Sequence, residues 1–189
     1  GNSIESGGNY NVAVGDEAGT AITTGDANTF VGFEAGKTVS TSSENTAFGY
    51  QALKLNAAGD GNTAIGVKAM DANVTGDRNV AVGSDALGAM NPDSNADMYN
   101  TAVGYNAGAG VTTGVQNTLI GGLAGDALTD ADYNVAIGVE ALSSDIKGSL
   151  NVAIGRRTLA SQSFTGATNS YNTAVGADAG KDVTTGVQN

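Results

Sequence analysis

The sequence predicts an all-β chain, a parallel β-solenoid of ten turns with about 17 residues per turn. Three observations predict it. An asparagine returns at Asn11, Asn28, Asn45, Asn62, Asn79, Asn100, Asn117, Asn134, Asn151, Asn172 and Asn189, every 17 residues except for two intervals of 21. Each of the first ten opens the same pentapeptide, as in Asn11-Val-Ala-Val-Gly15 and Asn62-Thr-Ala-Ile-Gly66. No apolar stripe at a helical period runs through the chain. A fixed period near 20 residues means one structural unit stacked on itself. The 189 residues therefore read as a single repeat domain, 1–189, growing in one dimension without a central core.

With the asparagine as position 0, the turn reads in order. Position 1 is Val or Thr, position 2 is Ala in eight of ten turns (Phe30 and Leu119 are the exceptions), position 3 is Val, Ile or Phe, and position 4 is always Gly. This is β-branched strand chemistry ending where the chain can bend. Position 6 is polar in nine of ten turns, as at Glu17, Glu34, Lys68 and Arg157, and is expected to face water. Position 7 is Ala, with Thr158 the exception, and an apolar residue follows near position 11, as at Ile22, Val39 and Leu128. Gly precedes the next asparagine by three, as at Gly25, Gly59 and Gly114. Asp97 and Asn169 replace it at two sites, and both residue types tolerate a left-handed turn. Two or three short strands per turn are expected.

Side chains alternate faces along a strand, so positions 1 and 3 share one face and the asparagine and alanine share the other. None of the ten pentapeptides holds a charge, so both faces read as buried. The β-branched face is expected to fill the rod's own lumen. The alanine face then needs another wall. That makes Ala13, Ala64, Ala81, Ala102, Ala136, Ala153 and Ala174 the candidate interface between chains lying side by side.

A longer period of 72 residues combines three turns of 17 with one of 21, and it relates Asn28 to Asn100 and Asn100 to Asn172. The extra residues fall in 88–99 and 160–171, loops expected on one edge of the rod. Loops on a rigid scaffold carry recognition, so Pro92, Asp93, Asp97, Tyr99, Phe164 and Tyr171 are the candidate interaction residues.

Composition narrows the function classes. The net charge is -11 with only 8 basic residues, which excludes a basic face for nucleic acid and disfavours an acidic membrane surface. There is no Cys and no His, so thiolate nucleophiles, Ser-His-Asp triads and His or Cys zinc sites are absent. No apolar run is long enough to span a bilayer. The chain starts without Met or a signal peptide and stops on a repeat asparagine, which reads as a piece of a longer protein or a processed subunit.

The phrases Asn-Thr-Ala-Val-Gly-Tyr-Asn-Ala-Gly at 100–108 and Asn-Val-Ala-Ile-Gly-Val-Glu-Ala-Leu at 134–142 resemble the head repeats of trimeric autotransporter adhesins of the YadA type and similar repeats of phage tail-fibre proteins. The likeness runs from Asn11 to Asn189. It implies a left-handed parallel β-roll, three chains side by side and a role in surface attachment. The longer turns and the 72-residue block depart from the adhesin heads and favour the fibre side.

Other chemistries find weaker support in the residues. Asp16, Glu17 and Glu34 place carboxylates on neighbouring turns at a spacing a retaining glycosidase could use, but no aromatic cleft surrounds them. Glu17 over Glu34 repels unless a cation intervenes, while Lys68 beside Asp85 and Glu140 beside Arg157 read as charge ladders. Asp130, Asp132 and the 93–97 loop carry oxygen ligands for Ca²⁺ without the spacing of a known calcium loop. Threonines at 23–24, 112–113 and 184–185 are too scattered for an ice-binding array, and Asn73-Val74-Thr75 is a lone glycosylation sequon. The expectation is a non-enzymatic segment without cofactors, extracellular or on a virion surface. It would be a homotrimeric rod that attaches to a host through a cell-surface glycan or protein receptor. The alternative is a subunit of a self-assembling extracellular filament.

Overall fold

The computed structural model describes residues 7–189. Fourteen short strands form in chain order: β1 (Val12–Val14), β2 (Thr29–Val31), β3 (Thr46–Phe48), β4 (Thr63–Ile65), β5 (Gly76–Asp77), β6 (Val80–Val82), β7 (Ala96–Asp97), β8 (Thr101–Val103), β9 (Thr118–Ile120), β10 (Val135–Ile137), β11 (Gly148–Ser149), β12 (Val152–Ile154), β13 (Thr168–Asn169) and β14 (Thr173–Val175). Ten of them, one per turn, make a single parallel sheet in the order β1-β2-β3-β4-β6-β8-β9-β10-β12-β14. Like positions pair with like: Thr63 with Val80, Ala64 with Ala81, Ile65 with Val82. The chain is thus a parallel β-solenoid with the predicted period, and no helix occurs among the described residues.

The position 4 glycines are required twice over. Gly66 has φ 137°, a backbone region closed to other residues. A Cβ there would also lie 2.5 Å from the carbonyl oxygen of Gly83 on the next turn. The glycines three before the asparagine serve differently. They are not left-handed, but a Cβ on Gly114 would meet the Ala131 carbonyl oxygen at 2.3 Å. The left-handed residue lies two places later, as at Ala27 (φ 56°), Arg78 (φ 58°) and Gln116 (φ 55°). Asp97 and Asn169, expected to make that bend, are instead extended in β7 and β13.

The two strand faces are the reverse of the expectation. Ala64, Ala81, Ala102, Ala136 and Ala153 are fully buried inside their own chain, and Ala13 and Ala174, in the two outermost turns, pack on the same core. They cannot touch a neighbouring chain. The β-branched rows face outward, with Ile65 at 39% exposure. The reason is volume. The opposite wall of the lumen supplies the bulk, from Leu53, Met70, Leu87, Leu142 and Leu159 at position 8 and from Ile22, Val39, Val111 and Leu128 at position 11. Only a small residue fits across from them. Where position 2 is large, position 8 gives way. Phe30 sits against Gly19 and Gly36, where added Cβ atoms would approach its ring to 3.0 and 2.7 Å, and Leu119 sits against Gly108 and Gly125, at 2.6 and 2.8 Å.

The asparagines line the lumen beside the alanines and form a second ladder. Each Oδ1 accepts the backbone N–H of the next asparagine, from Asn28 to Asn11 (2.9 Å) through Asn117 to Asn100 (2.9 Å) to Asn189 to Asn172 (3.0 Å). In eight of the ten turns, the side-chain Nδ2 also donates to a carbonyl 14 residues on, as Asn62 does to Gly76 (2.8 Å) and Asn117 to Ala131 (2.8 Å). The exceptions, Asn79 and Asn151, open the two 21-residue turns. A buried amide is tolerated only when its groups are paired, and this pairing spans the lumen and the turn boundary at once. That double duty explains why the residue is invariant within the repeat.

The four extra residues of each long turn are divided. The β5–β7 and β11–β13 pairs run at an offset of 20, Gly76 with Ala96 and Gly148 with Thr168, whereas the main sheet resumes at 21. Three residues therefore enter the loop and one makes a bulge, at Met98–Tyr99 and at Ser170–Tyr171. Met98 and Ser170 turn inward and are buried.

Candidate interaction surface

The outward face of the ten-stranded sheet is the main surface feature. Four rows make it: the residue before each asparagine and positions 1, 3 and 5. Nineteen large apolar side chains are well exposed among the described residues, and seventeen of them lie on these rows. Tyr10, Tyr99, Tyr133 and Tyr171 border one edge, and Phe33, Tyr50, Val67, Tyr105 and Val139 the other. The β-branched rows run between, interrupted once by Phe48 at 56% exposure. Phe33 and Tyr50 stack with ring centroids 5.4 Å apart and planes 12° from parallel. The strip is uncharged at positions 1 and 3 in every turn, while its edge rows also hold Asp16, Glu44, Arg78 and Arg156; exposed apolar side chains gathered on one face mark an interaction surface.

Beyond position 5 the surface becomes charged. Lys37 bridges Glu17 and Glu34, and Lys54 reaches Glu34 at 2.7 Å. The repulsion expected between Glu17 and Glu34 is thereby relieved by a cation of the chain itself. Lys37, then Lys54 and Gln51, hold the Glu34 carboxyl down to about 2, and the two carboxylates push the Lys37 ammonium up. Glu34 is nearly covered, contrary to the exposed position expected for it. Arg157 pairs with Glu140 at 3.6 Å, as the ladder predicted; Asp85 instead accepts from the Ser84 hydroxyl at 2.7 Å. Burial raises the Asp71, Asp77 and Asp126 carboxyls, and Asp126 Oδ1 has no hydrogen-bond partner.

The candidate loop residues separate into two groups. Asp93, Asp97, Tyr99 and Tyr171 are exposed. Pro92 and Phe164 are buried at equivalent places in their turns and plug the loop bases, Phe164 at 8% exposure. Pro92 accepts from the Thr75 hydroxyl through its carbonyl at 2.8 Å, and Phe164 receives Lys147 N–H at 2.9 Å in the same way. They are anchors rather than contact residues. The tips are Asp93, Ser94 and Asn95 in one loop and Thr165, Gly166 and Ala167 in the other. Asp97 is occupied by Arg78 and by the Tyr99 hydroxyl at 3.1 Å.

The candidate calcium ligands and the sequon asparagine make contacts within the scaffold. Asp130 pairs with Lys147 at 3.2 Å, and Asp132 accepts the Val115 N–H at 2.8 Å. No group of three potential metal-ligating side chains is gathered among the described residues. Asn73 is fully buried and donates to Asn56 at 2.8 Å, so the sequon is closed in the folded chain. The aromatic-edged face itself went unnoticed in the sequence. Its signal was the recurrence of Tyr before the asparagine at 10, 99, 133 and 171. Comparison with protein-family models, curated proteins and solved structures found no match.

Proposed function

We propose that the chain is a non-enzymatic structural segment of a fibre or adhesin head, a rigid rod that holds attachment surfaces away from their base. In this reading three left-handed rolls lie side by side, as the resemblance to head repeats implies, on a virion or cell exterior. The observation that carries it is the concentration of exposed apolar side chains on one face, seventeen of nineteen. Neither strand face carries a charge in any of the ten pentapeptides. The alanine face is closed by the chain's own lumen, and the β-branched face still needs a wall.

The area fits such a wall. The four rows span six steps of ~3.3 Å, and with ten turns at ~4.8 Å the face is roughly 950 Å² per copy. A standard protein interface buries about 800 Å² per partner. The charged rows past the bend would form its polar rim. Recognition of a glycan or protein receptor falls to the loop tips, 93–95 and 165–167, which stand on one edge of the rod.

Light scattering on the purified chain tests the reading. The expected result is a particle of three chains with one fixed length. Replacing Ile65 and Val103 by Lys should give monomers with an unchanged circular dichroism spectrum. Wild-type chains that stay monomeric at micromolar concentration would refute the association, and particles that keep lengthening would favour a filament.

A further inference from the structure

We propose that the aromatic cluster Phe33, Phe48 and Tyr50 fixes the axial register between copies of this chain packed on the outward sheet face. The inference rests on the side-by-side association proposed above and adds to it the device that aligns the copies.

A repeating face has a register problem. Its rows recur every turn, about 4.8 Å along the axis. Sliding one copy past another by one turn sets Thr or Val on Thr or Val, and Val or Ile on Val or Ile. The slipped pair loses only the contact of one end turn out of ten. Flat strands without a distinguishing pattern are weakly specified in register for the same reason. Something on the face must break the translational repeat.

Position 3 is Val or Ile in nine turns and Phe only at Phe48. Position 5 carries Phe33 and Tyr50 on consecutive turns, a pairing of aromatics that does not recur in that row. Their stacking, 5.4 Å between centroids, makes them one stiff unit, and Phe48 lies two residues before Tyr50 in the same turn. All three are exposed, at 40%, 56% and 46% for Phe33, Phe48 and Tyr50. The 72-residue block does not duplicate the cluster. The equivalent positions hold Tyr105, Ile120 and Gly122, so a four-turn slip would set the aromatic knob against a different surface. The Glu17, Glu34, Lys37 and Lys54 network lies immediately past Phe33 and Tyr50, which places the knob where the dry face meets its rim. Aromatic anchors of this kind dominate interface energetics.

The occupant is a second copy of this chain. Only a surface with the same turn repeat can match the rows over their full length, and the area is that of a standard interface. The core of the face, positions 1 and 3, is uncharged in every turn, so like faces meet without charge repulsion.

The chain has no cysteine, so single introduced thiols report cleanly. Chains carrying Val103→Cys and chains carrying Ile120→Cys are assembled together and oxidised. Mass spectrometry then sorts the disulfides into 103–103, 120–120 and 103–120 products. In the wild-type background one class of product should dominate. The same experiment is run with Phe33→Val, Phe48→Ile and Tyr50→Val, each residue being one that the same row carries in other turns, so the fold is retained. Circular dichroism checks this. Mixed and matched disulfides should then approach their statistical proportions while the particle mass stays the same. A wild-type mixture already at statistical proportions, or a triple variant that keeps one dominant class, would overturn the register device and leave association standing. Monomeric wild type, giving no disulfides, would overturn both. A triple variant that no longer associates would make the cluster an adhesive patch and also overturn its role in register.

Discussion

The asparagine ladder makes a quantitative prediction at Asn117. Its Oδ1 accepts the Asn134 backbone N–H at 3.0 Å, and its Nδ2 donates to the Ala131 carbonyl at 2.8 Å. The Asn134 N–H and the Ala131 carbonyl have no other hydrogen-bond partner. Asn117→Ala therefore orphans one buried donor and one buried acceptor. At about 1–3 kcal/mol for each unsatisfied group, the loss is about 2–6 kcal/mol. Asn79 provides an internal comparison. Its Oδ1 accepts the Asn100 N–H at 3.0 Å, but the Asp77 carbonyl that its Nδ2 serves also receives Met98 N–H at 3.1 Å. Asn79→Ala thus orphans one group and should cost about 1–3 kcal/mol. Urea unfolding followed by circular dichroism measures both. Stacked repeats couple mainly to their neighbours, so amide exchange at Asn134 should also accelerate in the Asn117 variant. Equal losses in the two variants, or a loss under about 1 kcal/mol at Asn117, would refute the ladder as the reason for the repeat.

Four further outcomes follow from the geometry. Gly66→Ala forces a Cβ against the Gly83 carbonyl at φ 137° and should lower the melting temperature well below that of Gly61→Ala, where the nearest atom is the Arg78 side chain at 3.6 Å. Ala64→Arg should disrupt the surrounding turns rather than separate intact chains, because it drives a charge into the lumen; a folded variant by circular dichroism would contradict the burial of that row. Glu34 is depressed to about 2 in the fold, so its contribution is complete above the ordinary carboxylate range and is lost as pH falls from about 4.5 towards 2. Glu34→Gln should flatten that part of a melting-temperature profile. Asp126 is raised by burial and leaves one oxygen unpaired, so Asp126→Ala, the residue its row holds at Ala109 and Ala160, should stabilise the chain at neutral pH; a lower melting temperature would contradict this.

The period, the strand positions and the glycine bends were legible because each is a local property repeated ten times. The direction of the strand faces was not. Val and Ile are read as core residues, yet here the lumen is filled from the far wall and leaves room only for Ala. The sequence held a clue. The two large exceptions at position 2, Phe30 and Leu119, coincide with glycine at position 8 in their own and the preceding turn, at Gly36 and Gly19 and at Gly125 and Gly108. Such compensation identifies two positions that share one volume. The role of Asn was hidden for another reason. Its partners lie 14 and 17 residues away and become neighbours only once the turn is closed. The loops were located correctly, but their most hydrophobic members, Pro92 and Phe164, are buried because each loop base packs on the turn before it, Pro92 against Gly76 and Phe164 against Gly148.

The ladder of side-chain amides also gives the rod an electrical direction. From Asn11 onward every Oδ1 receives a hydrogen bond from the turn that follows, ten times without reversal. Aligned carbonyl dipoles add, with the negative pole towards the C-terminal turns; where Nδ2 also donates to the preceding Oδ1, as Asn134 does to Asn117, the side-chain amides run in series and polarise one another, by about 10–30% per bond. The inside of the solenoid therefore distinguishes its two ends even where the sequence of adjoining turns is nearly the same. A turn added at the C-terminal end meets an acceptor, and one added at the N-terminal end meets a donor. A unit joined in reverse would set like poles together.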